Sequence, residues 1–159
     1  MEDLIRRAQE KGIDVEELIL LALSREDPQE AAELRMELAE KYFSEAEDYL
    51  RRGDAVQASE KAYKAAEEAV KALAEKFDVP EYKQALREGR WYAYLLGKAS
   101  SSLAKELGEW AVYGWSSAYF LHVWGFHEGK LNPDDVTAYL NRVKEMLRKA
   151  KEVIEQKKG

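Results

Sequence analysis

His122 and His127 are the only histidines in this chain of 159 residues. Both fall in residues 110–127, WAVYGWSSAYFLHVWGFH, a run of eighteen without Asp, Glu, Lys or Arg. Imidazole titrates near neutral pH and serves as general acid, general base or metal ligand. Histidine pairs that chelate one ion on an α-helix are spaced i, i+4, which puts both rings on one face. These two are five apart, about 140° around an α-helix, so the spacing predicts no shared ion, and no metal or cofactor is expected. His122 and His127 are the candidates for catalysis. The competing expectation, a hydrogen-bonded structural histidine on an aromatic face, outranks it. His127, beside Glu128 at the predicted helix end, is expected to meet solvent and to sit well against the negative helix C-terminus.

Other chemistry is missing. No glycine-rich phosphate loop, HExxH pair or nucleophile elbow is present, and Ser100-Ser101-Ser102 has no local base. The serines are read as a thin place where helices approach. Arg87-Glu88-Gly89-Arg90-Trp91-Tyr92 mixes cations with aromatics and could hold a phosphate or a base. The plainer alternative there is a solvated helix junction with its rings turned inward. Trp115, Tyr119 and Trp124 belong to a class common at protein contacts. With Arg87, Arg90, Trp91, His127 and Glu128 they make up the candidate binding or interface residues.

The elements that carry these residues are all predicted to be helices, because apolar spacing is helical throughout and no alternating β-branched run occurs. Asp27-Pro28-Gln29-Glu30 and Asn132-Pro133-Asp134-Asp135 supply an N-cap oxygen followed by proline at the first helical position. Asp14-Val15-Glu16-Glu17 and Asp54-Ala55-Val56-Gln57 have the capping-box spacing. Val56, Ser59, Tyr63, Ala66, Val70, Leu73 and Phe77 step as a bundle seam does. Ala32, Met36, Ala39, Phe43, Ala46 and Leu50 repeat the rhythm. Arg52-Gly53-Asp54 separates the two stripes, a glycine C-cap followed by an N-cap, so they form an antiparallel hairpin.

Further helices are predicted over 91–107, 110–128 and 133–156, with a short piece at 81–87. The last long one carries the seam Val136, Leu140, Val143, Leu147, Ala150 and Ile154. The fold class is all-α, an antiparallel bundle of four to five main helices over 28–159 with a helical N-terminal extension over 1–27. Within that extension, Leu18 to Leu23 is too apolar to stand free and is expected to dock on the bundle or on a second subunit. Along 110–127, Gly114, Ala118, Leu121 and Gly125 form a line of mostly small residues that lets a neighbour approach closely. Trp115, Tyr119, His122 and Phe126 lie beside it, and Tyr113, Ser117, Phe120, Trp124 and His127 on a further face. A helix this apolar is surrounded by others or is half core and half interface, and the aromatic faces predict a homodimer.

Composition narrows the function classes. The net charge of -6 argues against broad binding to a phosphate backbone. Absence of cysteine excludes disulfides and thiolate zinc sites and fits a reducing, cytoplasmic setting. The charged start MEDLIRRAQEKG is unlike a signal peptide. Eighteen uncharged residues approach the lower limit for a bilayer span. Two histidines, Ser116-Ser117 and few Leu, Ile or Val weigh against one, and no membrane partner is expected. Heavy use of Glu, Lys and Arg suits a heat-adapted protein.

Three ordered motifs carry a resemblance: residues 52–69 (RGDAVQASEKAYKAAEEA), 87–91 (REGRW) and 121–128 (LHVWGFHE). Together they resemble the archaeal PaREP family, over nearly the whole chain. The resemblance implies a helical bundle related to HEPN-like and nucleotidyltransferase-associated domains. Two activities follow from that wider relationship. One is non-catalytic, a homodimeric module that pairs with a protein partner such as a nucleotidyltransferase, or with an RNA or nucleotide system. The other is a metal-independent ribonuclease in which an arginine, four to six residues before a histidine, holds phosphate while the histidine assists proton transfer. No arginine stands in that window before His122 or His127, so an arginine from elsewhere, such as Arg90, would have to serve. The non-enzymatic module is therefore the leading expectation, with ribonuclease as the alternative.

Overall fold

The computed structural model describes residues 1–156. It is all-α: α1 (Glu2–Glu10), α2 (Val15–Glu26), α3 (Pro28–Arg51), α4 (Ala55–Phe77), α5 (Pro80–Glu88), α6 (Ala93–Leu107), α7 (Trp110–Phe120), a π-helical segment (Leu121–His127) and α8 (Pro133–Glu155). No strand occurs among the described residues. The predicted starts hold. The side chains of Asp14, Asp27, Asp54 and Asn132 each accept from the backbone N–H three residues on. Only Asn132 and Asp135 close a reciprocal capping box. At the other three, the cap binds in one direction, and Glu17 turns inward instead.

α3 and α4 form the expected antiparallel hairpin, joined through Gly53 at φ +78°. Their stripes face each other, with Ala32, Met36, Ala39, Phe43 and Ala46 meeting Ser59, Tyr63, Ala66, Val70 and Leu73 in the interior. α4 is buried far beyond its seam. Ala58, Ala62, Ala65, Ala69 and Ala72 have no exposed surface, since α8, the π segment, α7 and α6 close around the other sides. Alanine at so many positions is what lets five neighbours reach one helix axis, because a small side chain keeps packing dense at short interaxial distance.

α8 returns along α4, α7 and α3, burying the whole predicted seam together with Met146. Gly114 of α7 meets that methionine closely, and a Cβ there would lie 2.6 Å from Met146 Cβ. The small-residue line is thus packing, with Ala118 and Leu121 fully buried. The opposite side of α7 is half open, as Tyr113, Ser116 and Tyr119 face solvent. Residues 110–128 are not one α-helix. Regular geometry stops at Phe120, and Glu128 N donates to Val123 O at 2.9 Å, the i→i+5 bond of a π-helix.

The N-terminal extension docks through α2 onto α3. Leu21 and Ser24 are buried, the Tyr82 hydroxyl donates to Ser24, and Arg25 donates to Leu86 O. Leu18 and Ile19 remain exposed, so docking uses one face of the apolar run rather than all of it. Beneath α2 lies a buried charge network. Arg35, fully buried, contacts Glu17, Glu68 and Glu75 at 2.8, 2.9 and 2.6 Å, and Lys71 reaches Glu17 and Glu68. No described helix is long and apolar enough to cross a membrane.

Candidate functional site

The π segment brings its two histidines together. With i→i+5 bonding, residues five apart stand on successive turns of one face, and His122 Nε2 lies 3.1 Å from His127 Nε2. The separation of about 140° expected from α-helical spacing is corrected by that geometry. Gly125 helps to seat the segment. A Cβ there would lie 2.6 Å from Ser59 Cβ, so only glycine lets the π backbone rest on α4 at this point.

α4 supplies the rest of the cluster. Glu60 Oε1 is 2.9 Å from His122 Nδ1, and the Tyr63 ring stacks on His122 with centroids 3.9 Å apart and planes inclined by 20°. Tyr119 and Phe126 border the same imidazole at 5.9 and 6.2 Å. A carboxylate can only accept, so His122 donates its Nδ1 proton to Glu60. With the His122 ring neutral, its Nε2 lone pair accepts from His127 Nε2 across the 3.1 Å gap. The result is a directed chain, exposed His127 to half-buried His122 to Glu60.

The face of α4 beneath the histidines continues as Tyr63 and Glu67. Burial pushes the Tyr63 hydroxyl up, helped by the charges of Glu67 and Glu60. Burial likewise pushes Glu67 up to about 7, with Glu68, Glu60 and Glu17 adding to the rise and Lys71 opposing it. In the neighbouring network, burial pushes Glu75 up to about 7 despite its contact with Arg35. Burial would also raise Glu17, but hydrogen bonds and charge from Arg35 and Lys71 bring it below the ordinary carboxylate value. Three carboxylates, Glu17, Glu68 and Glu75, share two cations there. A proton on Glu75, whose Oε2 has no partner, relieves the imbalance.

Trp115 is buried against Tyr63 and Tyr119 and belongs to the core, not to a contact surface. Trp91 is also buried, its ring turned inward from the α5–α6 junction, so the interface role expected for it is corrected. Arg87, Arg90 and Glu128 are exposed. The Arg90 guanidinium lies 4.3 Å from the centroid of Tyr92, which stacks on Tyr94. The π segment packs chiefly on α4, α7 and α8, none of which carries Arg90. Tyr119 and Trp124 are 43% and 45% exposed, as is Tyr113 at 47%. Tyr113 flanks a groove of about 490 Å³ between α7 and α8, lined also by Ser116, Ser117, Tyr139 and Arg142.

Glu60 and Tyr63 were absent from the candidates read in sequence. Tyr63 stood in a core seam and Glu60 only within the motif of residues 52–69, and the packing of a remote segment brings them under a histidine.

The matched region agrees with this architecture. Residues 34–147 match the Archaeal PaREP1/PaREP8 family. A crystal structure of a protein from Sulfolobus solfataricus is 41% identical, covers 74% of this chain and 96% of its own, and superposes with a TM-score of 0.69. A solution structure of the same structural-genomics target is 40% identical, covers 76% and 93%, and gives a TM-score of 0.66. No curated protein matches. Over the hairpin, the π segment and most of α8, this chain belongs to the Archaeal PaREP1/PaREP8 family.

Proposed function

We propose that the protein is a non-enzymatic helical interaction module, dimeric through the outward face of α7 and the π segment, working in the cytoplasm. The observation that carries this is the exposure of Tyr113 and Trp124 on a stretch with no charged residue between 110 and 127. Large amphipathic rings gain much on contact, and Glu109 and Arg142, which flank Tyr113, would stand at the charged rim of such a contact. The groove beside Tyr113 gives that face relief into which a second copy can set its own rings. Dimerisation also fits the HEPN-like relationship that the sequence motifs imply, and leaves the module free to carry a nucleotidyltransferase-like protein or an RNA or nucleotide system.

Light scattering tests the dimer. At micromolar concentration the mass should be that of two chains, and Trp124→Asp with Tyr113→Asp should return it to one without loss of helical content. A wild-type monomer under those conditions removes the reading.

A second reading, a HEPN-type ribonuclease, draws support from the directed Glu60, His122, His127 chain ending at an exposed imidazole. It lacks a phosphate-holding arginine in the sequence window. RNA cleavage by the wild type that disappears in a folded His127→Ala variant would favour it over the module.

A further inference from the structure

We infer that His122 and His127 together form a binding site for one divalent first-row transition metal ion of the kind that prefers imidazole. A metal bonded to two imidazole nitrogens at 2.0–2.1 Å holds them roughly 2.9 Å apart at a right angle and roughly 3.4 Å apart at the tetrahedral angle. The two Nε2 atoms stand 3.1 Å apart, inside that span. An ion set off the line between the two Nε2 atoms replaces the shared proton, the His127 proton moving to Nδ1, and each ring tilts in place so that its Nε2 lone pair points at the ion. His122 is held by Tyr63 beneath and Glu60 behind, and the π turn keeps His127 over it.

Glu60 has the place of an outer-shell partner. A metal-bound histidine characteristically donates its other ring N–H to a carboxylate, which fixes the tautomer and raises the basicity of the ligating nitrogen. His122 makes that bond before any ion arrives. No group of three or more His, Cys, Asp or Glu side chains poised for a metal occurs among the described residues, so the other coordination positions fall to water or to a donor from a bound molecule. His127 is exposed, and the ion would be reachable from solvent. Imidazole donors suit zinc, nickel, copper and cobalt and not the hard, oxygen-seeking magnesium or calcium. The inference is independent of the dimer, since both ligands and their support come from one chain.

The test is calorimetric titration of tag-free, chelator-treated full-length protein with Zn²⁺ and with Co²⁺, the latter also followed by its visible spectrum. One ion per chain is expected, displaced as pH falls because both nitrogens must be free of protons. His127→Ala should abolish that binding, and because the side chain is exposed its circular dichroism should match the wild type. Glu60→Gln should weaken binding 10- to 100-fold with the stoichiometry kept. Mg²⁺ should give no heat. Binding unchanged in His127→Ala, or a wild type that takes up no ion at millimolar Zn²⁺, overturns the site. Loss in His127→Ala with no effect of Glu60→Gln overturns the outer-shell role.

Discussion

At the scale of single residues, the buried charges govern how stability responds to pH. Glu67 and Glu75 hold their protons up to about pH 7 in the fold, above the ordinary carboxylate value near 4.5. The folded state therefore binds more protons than the unfolded chain between those limits, and stability falls as pH rises from about 4.5 to 7, then levels. Glu17 runs the other way. Its depressed value contributes stability above the ordinary pKa that is lost as pH falls further. Thermal unfolding should accordingly show its optimum near pH 5 and a decline in melting temperature toward pH 8. Glu67→Gln should raise the pH 8 melting temperature and flatten the decline, and an unchanged slope would show that Glu67 ionises freely. Arg35→Met leaves carboxylates buried without their cation and should cost about 3–5 kcal/mol in urea unfolding. Adding Glu75→Gln should recover part of it. The reading of the stripe passed over Arg35, although it stands three residues after Ala32 and four before Ala39, on a face where a charge needs partners. Which carboxylates answer it was not legible in sequence, since Glu17, Glu68 and Glu75 come from two other helices.

At the scale of elements, the caps and seams could be read directly because each depends on neighbours in sequence. The π segment could not. Gly114, Ala118, Leu121 and Gly125 keep ordinary α-helical steps, and nothing local distinguishes i→i+4 from i→i+5 bonding over one turn. The wider turn rests on α4, with Gly125 close against Ser59, and with it comes the meeting of the histidines. The close approaches give a sharp expectation. Gly114→Ala drives a methyl into Met146, and Gly125→Ala drives one into Ser59. Each should lower stability by about 1–3 kcal/mol in chemical denaturation, against the gain that alanine brings at an ordinary helical position. Gly125→Ala should also separate the imidazoles, visible as altered histidine ring resonances. A neutral Gly114→Ala would mean that α7 and α8 pack less tightly than the Met146 contact requires.

At the scale of the whole molecule, an all-α bundle was legible from periodicity alone, while the identity of its central helix was not. The uncharged stretch drew attention as the part most in need of cover, yet alanine-rich α4 is the helix that neighbours surround. That α2 docks was expected from its apolar run, on the bundle or on a second subunit; its charge links, from Glu17 to Arg35 and Lys71, 18 and 54 positions on, were not legible. Removing residues 1–27 should lower the melting temperature while leaving most helical content, since the family match begins at residue 34. The Glu17 link has a further consequence for the order of assembly. During synthesis α2 emerges before the hairpin, but the cations that donate to its Glu17, Arg35 and Lys71, appear later, and Lys71 lies in the second arm of the hairpin. Until that arm is complete, Leu21 and the exposed Leu18 and Ile19 belong to an unanchored amphipathic helix. The α3–α4 hairpin, closed by a short turn, is the piece able to nucleate, and α2 can only latch onto a nucleus already made. Refolding followed at Trp115 and by protection of α2 amides should therefore show the interior closing before the N-terminal latch.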